Sequence, residues 1–177
     1  LKCYDTFTGF KFLAEKKDKL ENAGEGKVIF AYEESYGYML GDYVRDKDAV
    51  TASLLLTEMA AYYAGKGMTV LDALQSLYEK YGCYGEKTYN LVMPGLDGLS
   101  DMAKLMKSLR ETPPAEIAGV KVVQFKDYND GSVVDCATGA KSTMELSGSN
   151  VLRFEMADGT SIIVRPSGTE PKIKVYI

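Results

Sequence analysis

From residue 151 to the end of the chain, apolar and polar side chains alternate with a period of two, and turn signals cut the run into short strands. Residues 151–156 and 161–165 flank Asp158-Gly159, a dipeptide that tolerates the positive φ of a tight hairpin. Residues 172–177 follow, with Ile173, Val175 and Ile177 alternating with Lys172, Lys174 and Tyr176. Successive side chains of a strand point to opposite faces. Consecutive hairpins with this alternation therefore predict an antiparallel sheet with one buried face and one polar face.

Between the last two of these strands lies Arg165-Pro166-Ser167-Gly168-Thr169-Glu170-Pro171. Arg165 offers a planar fork of donors that matches two oxygens of a phosphate. Ser167 and Thr169 add hydroxyls. Gly168 lets backbone N–H groups approach an anion closely. Lys174, on the polar face of the following strand, can reach the same anion. An ordinary turn with Arg165 in a surface ion pair is the competing reading, and Glu170 is repulsive to a phosphate unless it points away.

The remainder predicts two regions. Residues 1–85 read as a partial mixed α/β layer domain, and residues 86–177 as a small α+β domain with an antiparallel sheet and helices. In the first, Thr8 is the expected cap of a helix over 9–23, anchored by Phe10, Leu13 and Leu20. Residues 28–32 form an apolar run that predicts a buried strand. A polar, glycine-bearing loop over 33–46 follows. A helix over 47–64 is apolar nearly all round at residues 52–56, which predicts burial between other elements. Thr69-Val70-Leu71-Asp72 has the form of a capping box that opens another helix, with Gly82 just past its end. In the second region the signals predict strands at 87–93 and 120–125, a helix carrying Met102, Leu105, Met106 and Leu109, and a turn at Asn129-Asp130-Gly131. Residues 126–149 give no clear pattern.

Composition narrows the function classes. The chain has 177 residues, 46% of them hydrophobic, and a net charge of −4. That balance argues against a general nucleic-acid or membrane-surface partner. No apolar run approaches the roughly 20 residues of a membrane span. Histidine is absent, which excludes Ser-His-Asp and Cys-His catalysis and imidazole zinc sites. Cys3, Cys83 and Cys136 form no metal or redox motif; they read as buried thiols in a reducing cytoplasm. The start at Leu1 and the stop after a strand suggest a piece of a longer protein.

A second constellation follows the first apolar run: Glu33-Glu34-Ser35-Tyr36-Gly37-Tyr38, then Gly41-Asp42-Tyr43-Val44-Arg45-Asp46-Lys47-Asp48. Carboxylates and a serine can bind sugar hydroxyls, and tyrosines can pack on the apolar face of a pyranose. The loop leaves the carboxyl end of a strand, where ligands of α/β sheets bind. Alternatively, residues 45–48 are a solvated charge cluster that opens a helix, with Asp46 as its cap. Local sequence does not decide between the two.

Taken together, the two loops resemble the α-D-phosphohexomutases, nearest their phosphoglucomutase branch. That family carries a Gly-Glu-x-Ser-Gly-type sugar loop in its third domain and an Arg-x-Ser-Gly-Thr phosphate loop in its fourth. Here these fall, in the same order, on Glu33, Glu34 and Ser35, followed by Arg45-Asp46-Lys47-Asp48, and on Arg165 to Thr169. Thr6-Phe7-Thr8-Gly9-Phe10-Lys11 resembles the segment ahead of the sugar loop. The resemblance covers essentially the whole chain. It implies that a phosphoserine hands its phosphoryl group to a hexose phosphate, that glucose 1,6-bisphosphate is the intermediate, and that Mg²⁺ neutralises the developing charge. It further implies that Glu33, Ser35 and Arg45 bind substrate, that Arg165, Ser167, Gly168, Thr169 and Lys174 hold the distal phosphate, and that Lys47 approaches the reacting hydroxyl and assists proton transfer.

Three departures qualify the resemblance. The sugar loop lacks the Ser-Gly-His ending of branches that accept mannose or glucosamine phosphates, which favours glucose phosphate and leaves phosphopentose and bisphosphate-synthase branches open. Lys174 stands where relatives carry Arg. Neither the phosphoserine segment nor the Asp-Gly-Asp metal loop is present. The expected partners are accordingly a hexose phosphate and N-terminal domains of the same protein, and this segment alone is expected to be inactive. A phosphosugar-binding module without chemistry and a scaffold domain with plain turns are the competing expectations.

Overall fold

A computed structural model of the chain describes residues 1–95, 97–168 and 170–177. It divides into two compact units, Leu1–Tyr84 and Gly85–Ile177.

In the second unit, β3 (Thr88–Val92) is followed by α4 (Gly98–Glu111), then β4 (Glu116–Ile117), β5 (Val120–Asp127), β6 (Ser132–Asp135), β7 (Lys141–Thr143), β8 (Leu152–Met156), β9 (Ser161–Pro166) and β10 (Lys172–Tyr176). The pairings are all antiparallel, in the order β3-β10-β9-β8-β5-β6-β7, with β4 on β5. Period-two patterning works here as expected. Leu152, Phe154 and Met156 of β8 are buried while Arg153 and Glu155 are not. Met106 of α4, 2% exposed, packs with Leu152, Phe154 and Ile173 to form the centre of the core. The rings of Phe125 and Phe154 lie 5.3 Å apart and tilted. The stretch 126–149, which shows no clear sequence pattern, contains the edge hairpin of β6 and β7.

The first unit holds α1 (Phe10–Asn22), β1 (Ala31–Glu33), β2 (Gly37–Met39), α2 (Ala49–Ala64) and α3 (Val70–Tyr81). Phe10, Ala31 and Met39 form its small core cluster. The capping box at Thr69 and Asp72 is present, and Gly82 closes α3 at φ +94°.

Several expectations for this unit are corrected. Thr8 does not cap α1: Gly9 occupies the cap position at φ +126° and brings no side chain of its own. The strand expected at 28–32 is only Ala31–Glu33, and Ile29, Phe30 and Tyr32 are exposed. The expected open loop over 33–46 begins as a hairpin, because β1 pairs with β2 across Glu34, Ser35 and Tyr36. Asp48, not Asp46, caps α2. Helix α2 was expected to be buried, yet it buries no residue, and Val50 and Leu54 are 77% and 59% exposed. An all-round apolar helix records a need for cover without specifying what supplies it. The three cysteines expected to be buried are all exposed.

Candidate substrate-binding site

In the second unit, Arg165 sits near the end of β9, and its Cα partner across the ladder is Lys174 of β10. The next pairing outward sets Lys174 against Asn90 of β3. Directly opposed residues of an antiparallel pair project to the same face, and like charges so placed repel. Among the described residues neither Arg165 nor Lys174 is paired with a carboxylate. Arg165 Nη2 donates instead to the Tyr176 hydroxyl at 3.1 Å, and its guanidinium lies 6.0 Å from that ring. Arg165 Nε is shielded from solvent and has no partner among the described residues.

Ser167 and Gly168 turn out of β9. The Ser167 N–H donates to the Lys172 carbonyl at 2.8 Å, and Ser167 Oγ accepts from the Glu170 N–H at 3.3 Å. Glu170, the awkward carboxylate of the loop, is engaged by Lys172 at 2.5 Å. Its charge is thus answered within the loop. Thr169 lies outside the described residues. A cavity of about 380 Å³ opens beside the turn, lined by Arg165, Ser167 and Gly168, by Met102 and Met106 of α4, and by Ser149 and Asn150. The sequence gives no signal for Ser149 or Asn150, and Tyr176 is signalled only by sharing the polar face with Lys174.

In the first unit, two helix starts meet the β1–β2 hairpin. Glu33 ends β1, and its Oε1 accepts the Gly9 N–H at 2.6 Å, so a carboxylate supplies the cap that Thr8 does not. This suits the positive end of a helix. Gly37 begins β2 directly over Phe10: a Cβ there would lie 2.6 Å from the ring, so only glycine fits without a shift. The Asp48 N–H donates to the Tyr38 carbonyl at 2.9 Å, which fastens the start of α2 to β2. Asp48 then accepts from Val50 and Thr51 N–H groups. The Tyr43 hydroxyl, the Thr51 hydroxyl and those amides hold the Asp48 carboxyl well below its usual range, at about 2. The bond from Tyr43 raises that phenol in turn.

The sugar-loop residues are placed around this junction. Glu34, Ser35 and Tyr36 form the exposed tip of the hairpin, and Tyr36 takes φ +64°. Lys47 donates to Asp46 at 3.2 Å and lies 5.4 Å from the Phe10 ring, beside Gly37. Asp46 is lowered by the Lys47 backbone N–H and side chain. Arg45 is drawn onto α1, where it pairs with Asp18 at 2.7 Å. Lys17, 8% exposed, joins Glu21 at 2.5 Å and Asp42 at 3.0 Å, and Asp42 also takes Lys27. These bonds raise Lys17 and lower Asp42 and Glu21. The loop that leads to Lys47 is therefore tied down by charge rather than by apolar packing.

Among the described residues no group of three or more Cys, Asp or Glu side chains is placed to hold a metal. Those residues therefore offer no site for the Mg²⁺ that the resemblance implies. Among the described residues no helix is long and apolar enough to cross a membrane.

Residues 1–81 match the family described as phosphoglucomutase/phosphomannomutase, alpha/beta/alpha domain III, and residues 100–177 match its C-terminal domain. The chain belongs to the phosphoglucomutase/phosphomannomutase family. It is 37% identical, over its full length, to a phosphoglucomutase of Staphylococcus aureus strain N315, covering 32% of that protein. It is 36% identical over 173 residues to that of strain MRSA252, covering 98% of this chain and 31% of the relative. The chain thus spans about a third of these relatives. The fold also resembles the open form of pp63/parafusin, a phosphoglucomutase from Paramecium. There the TM-score is 0.57 and the identity 23%, over 96% of this chain and 28% of the other.

Proposed function

We propose that this chain is the substrate-holding C-terminal part of a phosphoglucomutase, which interconverts glucose 1-phosphate and glucose 6-phosphate through a phosphoserine and glucose 1,6-bisphosphate. The observation that carries the reading is the direct opposition of Arg165 and Lys174 beside the turn at Ser167 and Gly168. Two cations facing each other across a ladder are unfavourable alone and favourable around an anion. Arg165, Lys174, Ser167, Gly168 and Thr169 hold the phosphate that is not being transferred.

A mutase must accept its sugar in two orientations, so the remaining contacts need hydroxyl-reading groups rather than a second rigid cradle. Glu33 and Ser35 bind sugar hydroxyls. Glu33 Oε1 is committed to Gly9, which leaves Oε2 for the sugar. Lys47 approaches the reacting oxygen and eases the departure of its proton. Arg45 reaches substrate by exchanging its Asp18 partner for a phosphate. Mg²⁺ would be held by residues outside this chain and would supply neutralising charge to the transferring group. The phosphoryl-carrying serine belongs to another part of the protein, and the present chain alone is inactive.

An NMR amide-shift titration of the chain with glucose 1-phosphate tests the reading, with inorganic phosphate as a control. The expected result is saturable shifts at Ser167, Gly168 and Lys174 that disappear in a folded Arg165→Ala variant. Shifts that persist unchanged in that variant would sink the assignment. So would turnover of glucose 1-phosphate by the chain alone, as regards its inactivity.

A further inference from the structure

Asn150 lines the same cavity as Arg165, Ser167 and Gly168. Its amide has an acceptor end and a donor end. Asn150 Oδ1 accepts from Arg110 Nη2 at 2.8 Å. Arg110, in the last turn of α4, is itself held in place, because its Nε donates to Asp127 Oδ2 at 2.5 Å. Asp127 closes β5 and is 3% exposed, and its Oδ1 accepts the Asn129 N–H at 2.9 Å. A guanidinium has donors and no acceptor, so only the amide oxygen can face it. The orientation of Asn150 is thereby decided: its NH₂ group is left over, with no partner among the described residues.

The backbone around Asn150 is fastened as well. The Ser149 N–H donates to the Tyr128 carbonyl at 3.0 Å, the Gly148 N–H to Asn129 at 3.2 Å, and the Tyr128 N–H to Val151 at 3.0 Å. Residues 148–151 are therefore a wall tied to the end of β5, not a free loop. A pre-oriented donor on a fixed wall is what an anion site requires, since the ordering cost is met before the ligand arrives.

We propose that Asn150 is a further ligand-binding residue, whose amide NH₂ donates to the phosphate ester held by Arg165, Ser167 and Gly168. Arg110, fixed by buried Asp127, is the positioning residue that turns the donor end toward the cavity. The inference rests on the phosphate-binding reading above and extends that site beyond the turn itself.

The test uses amide-shift titrations of the chain with glucose 1-phosphate and with inorganic phosphate. Asn150→Asp keeps an acceptor for Arg110 but removes the donor and adds a negative charge. Asn150→Ala removes the donor without adding charge. The expected outcome is a dissociation constant raised about fivefold by Asn150→Ala and about tenfold or more by Asn150→Asp. The thermal midpoint should stay unchanged, and the Ser167 and Gly168 amides should still saturate. Arg110→Lys keeps a cation for Asp127 but gives up the fork, and is expected to weaken binding about twofold to fivefold. If Asn150→Ala binds like the parent while Arg165→Ala abolishes binding, the phosphate reading stands and the role of Asn150 falls. A loss confined to Asn150→Asp overturns it too, because repulsion alone would explain that. Unchanged binding by Arg110→Lys removes the positioning role. Absence of saturable shifts in the parent chain would overturn the phosphate reading and this inference with it.

Discussion

The two units hold their loops by different physics. The turn at Ser167 and Gly168 grows from a continuous antiparallel sheet whose central side chains, Leu152, Phe154 and Ile173, are at most 1% exposed. The hairpin tip at Ser35 grows from a two-stranded ribbon over a cluster of three buried residues, Phe10, Ala31 and Met39. What the first unit lacks in apolar packing it replaces with directed polar bonds: Glu33 to Gly9, Asp48 to Tyr38, Lys17 to Asp42 and Arg45 to Asp18. On the proposed function, a packed sheet would suit a rigid cradle for the phosphate, and a loop on polar tethers would suit contacts that serve two orientations of the sugar.

The largest effect that would break this contrast is in the sheet core. Phe154→Ala should cost about 3–5 kcal/mol, read by denaturant unfolding followed through signals of the second unit. A loss under about 1 kcal/mol would mean that the sheet is not a rigid support. Next comes the charge tether. Lys17→Met should speed amide exchange across residues 41–46 and lower the melting midpoint, because Asp42 and Glu21 lose their buried partner. Unchanged exchange there would show that the loop is held by something else.

A smaller, pH-dependent effect belongs to Asp48. Its carboxyl is depressed to about 2, below the usual value of about 3.9. A depressed acid stabilises the fold fully above its unfolded value, and that contribution fades as pH falls through the folded one. Helix α2 should therefore keep this support at pH 5 and lose it between about pH 4 and 2. Asp48→Asn, which still caps, should remove that part of the acid transition in a circular-dichroism titration. The smallest effect is expected on α2 itself: Leu54→Ala, at a side chain 59% exposed, should change stability by less than about 0.5 kcal/mol. A larger loss would show that α2 is covered in solution, and would narrow the difference between the units.

Much of the second unit was legible in sequence because its signals are local. The strands around Asp158-Gly159, the helix with Met102 and Met106, and the turn at Asn129-Asp130-Gly131 all appear where patterning puts them. In the first unit the capping box at Thr69 was equally legible. Residues 28–32 were misread because apolar character marks a segment that favours cover, and only Ala31 there finds it. Thr8 was misread as a cap because its competitor, Glu33, lies 24 residues away. The same limit applies to the site. Arg165, Ser167, Gly168 and Lys174 announce themselves through type and spacing. Asn150 does not, because nothing in its neighbourhood marks it.

The sequence by itself determined the strand alternation, the turns, the two motif loops and the place of Lys174 on the polar face of its strand. These follow from φ/ψ preference and side-chain period, which depend on neighbours a few residues apart. The register that sets Lys174 opposite Arg165 came from the structure. Only the tertiary structure decided that Arg110 meets Asp127 and Asn150, respectively 17 and 40 residues along the chain, and that Glu33 caps α1. Such contacts depend on which surfaces meet when the core closes, and a local pattern carries no record of that meeting.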